Sequence, residues 1–118
     1  RPSYPSSARP LAGLLLAADG TPSHHLVLRP GDAEDLNWAD AKAWAASAGG
    51  ELPTRQEQSL LYANLKGEFQ STWYWSAEAY ETDGSSAWCQ DFTNGGQDVS
   101  HEYNELRARA VRLIQLTA

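Results

Sequence analysis

Two short apolar runs, Leu11 to Ala17 and His25-Leu26-Val27-Leu28, flank Asp19-Gly20-Thr21-Pro22, and the second run ends at Arg29-Pro30-Gly31. Apolar runs on either side of such a turn composition predict a β-hairpin. The spacing then changes. Trp38, Ala41, Trp44, Ala45 and Ala48 share one stripe at about 100° per residue, the pattern of an amphipathic helix. Asn37 stands where an N-cap belongs and Gly49-Gly50 where the helix should stop. A second helix is announced by Thr54-Arg55-Gln56-Glu57, a capping box just ahead of Leu60, Leu61 and Leu65, and should end near Gly67.

Beyond Thr72 the helical period is lost. Trp73-Tyr74-Trp75-Ser76 and Ala87-Trp88-Cys89-Gln90-Asp91-Phe92 predict short aromatic strands. Thr82-Asp83-Gly84-Ser85-Ser86 reads as the turn between them, and Thr93-Asn94-Gly95-Gly96 as the end of the second. Arg107 to Leu116 predicts one closing strand. A strand pair, two helices and then short strands is an α+β order, without the alternation of a doubly wound sheet. The first ten residues hold three Pro and three Ser. They read as an arm or linker, without the features of a signal peptide, leaving 11–118 as a single domain.

Composition changes the picture of the core. Leu, Val, Ile and Phe supply only 20 of 118 residues, while Trp and Tyr number five each. Large rings must therefore fill space that aliphatic residues usually fill. Core positions are expected for Trp38, Trp44, Trp75 and Trp88, and surface positions for Trp73, Tyr80 and Tyr103. No apolar run is long enough for a transmembrane helix. With one cysteine, the chain cannot close a disulfide within itself.

Charge is uneven. The net charge is −6, yet seven acids and no Lys or Arg lie between Ser76 and Glu105. Arg107, Arg109 and Arg112 follow, placed to neutralise part of that surface. Nucleic acid is disfavoured as a partner, because phosphate binding needs clustered basic residues. A cationic or hydroxyl-rich partner suits the acidic segment better. Asp91, Asn94 and Asp98 could offer oxygens to calcium, but their spacing is not that of an EF-hand, and no cofactor is expected. His24 and His25 should point to opposite strand faces, a poor geometry for one metal. Glu57 is explained by its cap, and Arg55 reads as a surface residue. Neither a nucleophile elbow nor a phosphate-cradling glycine loop is present, so no enzymatic chemistry is expected.

Taken together, Gly49-Gly50-Glu51-Leu52-Pro53-Thr54-Arg55-Gln56-Glu57, Tyr74-Trp75-Ser76, Ala87-Trp88, Phe92 and Arg109-Ala110-Val111-Arg112 form a pattern over about two thirds of the chain. It resembles the Lcl C-terminal-domain-like family, bacterial and phage domains with a C-type-lectin-like fold. The wording of "LPTRQEQ" and "ANLKGEF" is most like prophage-encoded members. The resemblance implies paired N- and C-terminal strands, two flanking helices and an irregular ligand-binding region after the second helix. Family members often carry cysteines that can pair. The first helix here offers only alanines, so Cys89 is expected as a free, partly buried thiol. The Glu-Pro-Asn and Trp-Asn-Asp triplets of calcium-dependent lectins are absent.

The resulting expectation is a non-enzymatic binding module, a virion or cell-surface component such as a tail fibre or tip. It would recognise a host surface glycan or protein. The candidate contact residues are Trp73, Glu78, Tyr80, Asp83, Asp91, Asn94, Asp98, His101 and Tyr103. Residues 1–10 would join other virion subunits, in a homo-oligomer, with no membrane insertion. The alternatives are a structural decoration or capping subunit and, with less support, an enzyme of the formylglycine-generating type, which would need a reactive cysteine pair.

Overall fold

The computed structural model describes residues 11–16 and 22–115, so the Pro/Ser arm, the turn at Asp19-Gly20-Thr21 and Leu116 lie outside the described residues. The hairpin forms from β1 (Leu11–Leu16) and β2 (Pro22–Leu28), paired antiparallel. Strand β3 (Ala33–Leu36) follows, then α1 (Trp38–Ser47) and α2 (Arg55–Leu65). After a 3-10 turn at Lys66–Glu68 come β4 (Trp73–Ala79), β5 (Ser86–Asp91), β6 (Gln97–His101), β7 (Leu106–Ala108) and β8 (Val111–Gln115). One sheet has the order β1-β2-β8 and the other β3-β7-β4-β5-β6. All pairings are antiparallel except β4 with β7. The fold is α+β, as the order of elements predicts. Among the described residues, no helix is long and apolar enough to cross a membrane.

Both helix starts follow from local chemistry. The Asn37 side chain accepts the Asp40 N–H at 2.9 Å, satisfying one of the donors that a helix start leaves open. Thr54 Oγ1 accepts the Glu57 N–H at 3.2 Å and Glu57 returns the contact by accepting the Thr54 N–H at 2.9 Å. Gly50 has a tertiary role besides ending α1. A β-carbon there would stand 2.2 Å from the Val111 carbonyl oxygen, because Glu51 and Val111 exchange both backbone hydrogen bonds beside it.

Strand β4 is buried on both sides, which splits the core in two. Tyr74 joins Leu26, Leu28, Leu61, Phe69, Phe92 and Val111 beneath α2. Phe69 and Phe92 stack at 4.0 Å, with the Tyr74 ring edge-on to each. On the other side, Trp75 packs with Ala41, Ala45, Leu52, Ala87, Cys89, Ala108 and Ala110 beneath α1. Alanines on the inner stripe of α1 leave room for that ring. Trp75 Nε1 donates to the Leu36 carbonyl and Trp38 Nε1 to the Ser76 carbonyl, both at 2.8 Å, so the polar ends of the indoles are satisfied.

The expectation of four core tryptophans needs correcting. Trp75 is fully buried, but Trp38 and Trp44 are half-buried at the margin of the α1 cluster. Trp88 belongs to neither cluster. It is half-buried between the Arg55 guanidinium, 3.5 Å from its ring centre, and the edge-on ring of Tyr80.

The closing strand is also a correction, for it is two strands in different sheets. Arg109 interrupts it. Its buried guanidinium donates from Nη1 to the Glu68 carbonyl and from Nη2 to the Arg29 carbonyl, pinning the crossing between β7 and β8. Arg107 does not neutralise the acidic segment. It bridges to Asp32 at 2.9 Å and Glu34 at 3.0 Å, tying β7 to the chain around β3.

Candidate functional site

The outer hairpin β5–β6 stands beyond the helices, and its register sorts the candidate residues. Residues directly opposite in an antiparallel pair share a face. Trp73 pairs with Asp91, Trp75 with Cys89, Cys89 with Asp98, and Ala87 with Ser100. Trp73, Cys89, Asp91, Asp98 and Ser100 therefore lie on the face that α1 partly covers. Beyond the helix this face holds a pocket of about 160 Å³, lined by Trp73, Cys89, Asp98, Val99, Ser100 and Leu106.

The pocket groups have defined partners. Cys89 Sγ donates to the Asp98 carbonyl at 3.4 Å, and burial, followed by the Asp98 and Asp91 charges, pushes its pKa up to about 12. Asp98 Oδ1 accepts the Val99 N–H at 2.7 Å, and Ser100 Oγ accepts from Asn104 at 2.9 Å. The indole N–H of Trp73 donates to no acceptor among the described residues.

The other candidates lie elsewhere. On the α2 face, the Glu78 carboxylate accepts the Arg55 N–H at 2.7 Å, and Tyr80 leans on Trp88. Arg55, read from sequence as a plain surface residue, is stacked on Trp88 and donates from Nε to Gln97 at 3.0 Å. Asp83 closes the β4–β5 turn, where hydrogen bonds from the Ser85 hydroxyl and N–H hold its carboxyl below the ordinary range. His101 and Tyr103 lie near that turn with ring centres 5.2 Å apart, and Tyr103 is 74% exposed.

Asp91 and Asn94 occupy the opposite end of the hairpin, where their side chains accept the Thr93 and Gly96 N–H groups. The single contact face expected from sequence is thus divided between two faces and two ends. Among the described residues, no group of three or more His, Cys, Asp or Glu is placed to hold a metal.

The sequence reading missed the docking of α2 by glutamines. Gln58 Nε2 donates to the Tyr74 and Trp75 carbonyls, Gln90 Nε2 to the Gln58 carbonyl at 2.7 Å, and Gln97 Nε2 to Gln90 Oε1 at 2.8 Å. The chain Gln58–Gln90–Gln97 ties the outer hairpin to the helix. Polar residues one strand apart carry no pattern that would mark them as buried. No protein-family model matches the chain, and no curated protein matches it either.

Proposed function

We propose that this chain is a non-enzymatic binding module with a C-type-lectin-like fold, of the Lcl C-terminal-domain-like kind. In this reading it is a phage or prophage virion component that recognises a host surface structure. The observation that carries the proposal is the acidity of the outer hairpin and its turns. Neither of the two ion pairs among the described residues involves a carboxylate between positions 76 and 105. Both Arg107 and Arg109 are engaged elsewhere. An exposed tyrosine, Tyr103, stands beside Glu102 and Glu105 on this surface. Natural interfaces favour such a ring, and unpaired carboxylates give the surface a sign that selects its partner.

The test is binding of the purified chain to bacterial cells and to an array of bacterial surface polysaccharides. Exchanging Tyr103→Ala together with Glu102→Gln should weaken binding about tenfold, as expected for an exposed aromatic anchor. Added salt should weaken it further. Failure to bind any cell or polysaccharide, or unchanged binding by the double variant, would favour a purely structural virion subunit.

A further inference from the structure

The pocket beneath Trp73 brings an aromatic wall and an exposed carboxylate residue, Asp98, together at one cavity. Its volume of about 160 Å³ is close to the ~150 Å³ that holds a single benzene ring in an engineered apolar cavity. It is well below the ~300 Å³ at which pockets for drug-sized ligands begin. One ring or one compact head group fits.

The chemistry of the walls narrows the choice. Asp98 is exposed and spends one carboxylate oxygen on the Val99 N–H, while its other oxygen has no protein partner among the described residues. Asp91 shares the face through its pairing with Trp73. The Cys89 thiol on that face registers both charges, since Asp98 and Asp91 each add to the rise that burial imposes on its pKa. No arginine or lysine lines the pocket. An anionic ligand would meet these carboxylates unscreened. A cation would meet them beside the Trp73 indole in the pocket wall, and a carboxylate next to an aromatic ring is the combination that favours ammonium groups.

The geometry points to a binding site for an organic ammonium head group, such as an amino sugar or a choline, carried on a host surface polymer and held between Trp73 and Asp98. The assignment rests on the binding reading above and names the ligand chemistry that the reading leaves open. Trp73 supplies the cation–π face, Asp98 the counter-charge and Leu106 the apolar side. The negative surface from Ser76 to Glu105 rejects uronic, sialic or sulfated sugars. Asp98 does a second job here. By accepting the Val99 N–H it occupies a backbone donor of the edge strand β6, which works against the docking of an extended peptide.

The test is a titration of the isotopically labelled chain followed by NMR at its five indole N–H signals, with Trp73→Phe assigning the one in the pocket. The probes are choline and glucosamine against their uncharged counterparts, 3,3-dimethylbutanol and glucose. Both ammonium probes should shift the Trp73 signal to saturation, and the uncharged ones should bind at least fivefold more weakly, about the worth of a cation–π contact. Asp98→Asn, at an exposed position, should keep the fold and lose a similar factor. Equal binding by the uncharged probes, shifts mapping to another indole, or no effect of Asp98→Asn would overturn the assignment. Tighter binding of Nα-acetyl-lysine methylamide than of both ammonium probes would overturn it in favour of a protein lysine. The titration needs no host cell. Its failure alongside intact cell binding removes only the ammonium site, whereas lost cell binding alongside a successful titration removes the host-recognition reading.

Discussion

The Cys89 thiol lies 3% exposed with two carboxylates acting on it, and burial leads in raising its pKa to about 12. Only the thiolate is a nucleophile, so this sulfur should be inert in the folded chain. We expect no reaction with a chromogenic disulfide reagent at pH 8, and one thiol per chain once the protein is unfolded in guanidinium. Rapid reaction of the native protein would reopen the enzyme reading. Tyr74 is controlled in a related way. Burial, followed by donation of its hydroxyl to Asp32 at 2.5 Å, pushes its pKa up to about 12, so the hydroxyl stays a donor into more alkaline solution than an ordinary tyrosine does. Single side chains were only partly legible in the sequence. Tyr103 is exposed, as expected, because nothing apolar surrounds it in the chain. Trp88, expected in the core, is half-buried outside both clusters, because the burial of a strand residue depends on which neighbour register brings to it.

At the scale of elements, both helices and their caps could be read directly, since the groups that form a cap lie within three or four residues of one another. Two strands could not. Strand β3 (Ala33–Leu36) is a short acidic segment with Asp35 at φ +58°, a conformation few non-glycine residues adopt. Strand β6 carries one aliphatic residue, Val99, and is held by pairing with β5. The start of α2 makes a pH-dependent prediction. Burial, with added repulsion from Glu51 and Glu78, raises the Glu57 pKa above its ordinary value, although hydrogen bonds with Thr54 oppose the shift. The folded chain therefore binds this proton more tightly than the unfolded one. Its contribution to stability is complete below the ordinary carboxylate pKa and is lost as pH rises through the folded value. Glu57→Gln keeps an oxygen to accept the Thr54 N–H and removes the buried charge. Urea midpoints should show the variant as stable as the wild type or more so at pH 7, with the difference closing by about pH 4.

For the whole molecule, Arg109 couples parts that are distant in sequence. Its guanidinium spans the carbonyls of Glu68 and Arg29, 41 and 80 residues away. Burial lowers its pKa, and its Nε has no acceptor among the described residues. Removing it should cost about 3 kcal/mol, because two charge-assisted hydrogen bonds and the packing of a buried side chain are lost. Urea denaturation of Arg109→Ala measures this, and a loss below about 1 kcal/mol would show the contacts to be incidental. This residue also explains why one strand was expected where two form. The run from Arg107 to Leu116 has an unbroken strand pattern, and only a partner far away in sequence makes the chain change sheets at Arg109. The pocket face was hidden for the same reason. Trp73 and Asp98 could be named as candidates, but only the register β4-β5-β6 shows that they share a cavity with Cys89 and Ser100.

The order β1-β2-β8 has a mechanical consequence. Both outer strands run antiparallel to β2 and hence parallel to each other, with Leu11 opposite Val27, Val27 opposite Arg112, and Gln115 opposite His24. The chain thus enters β1 at one end of the sheet and leaves β8 at the other. Tension applied through these two points drags the outer strands in opposite directions along their own axes. It loads every hydrogen bond to β2 at once, in shear, where a load applied at one end would peel them apart singly. A domain tethered in this way resists pulling with its whole sheet.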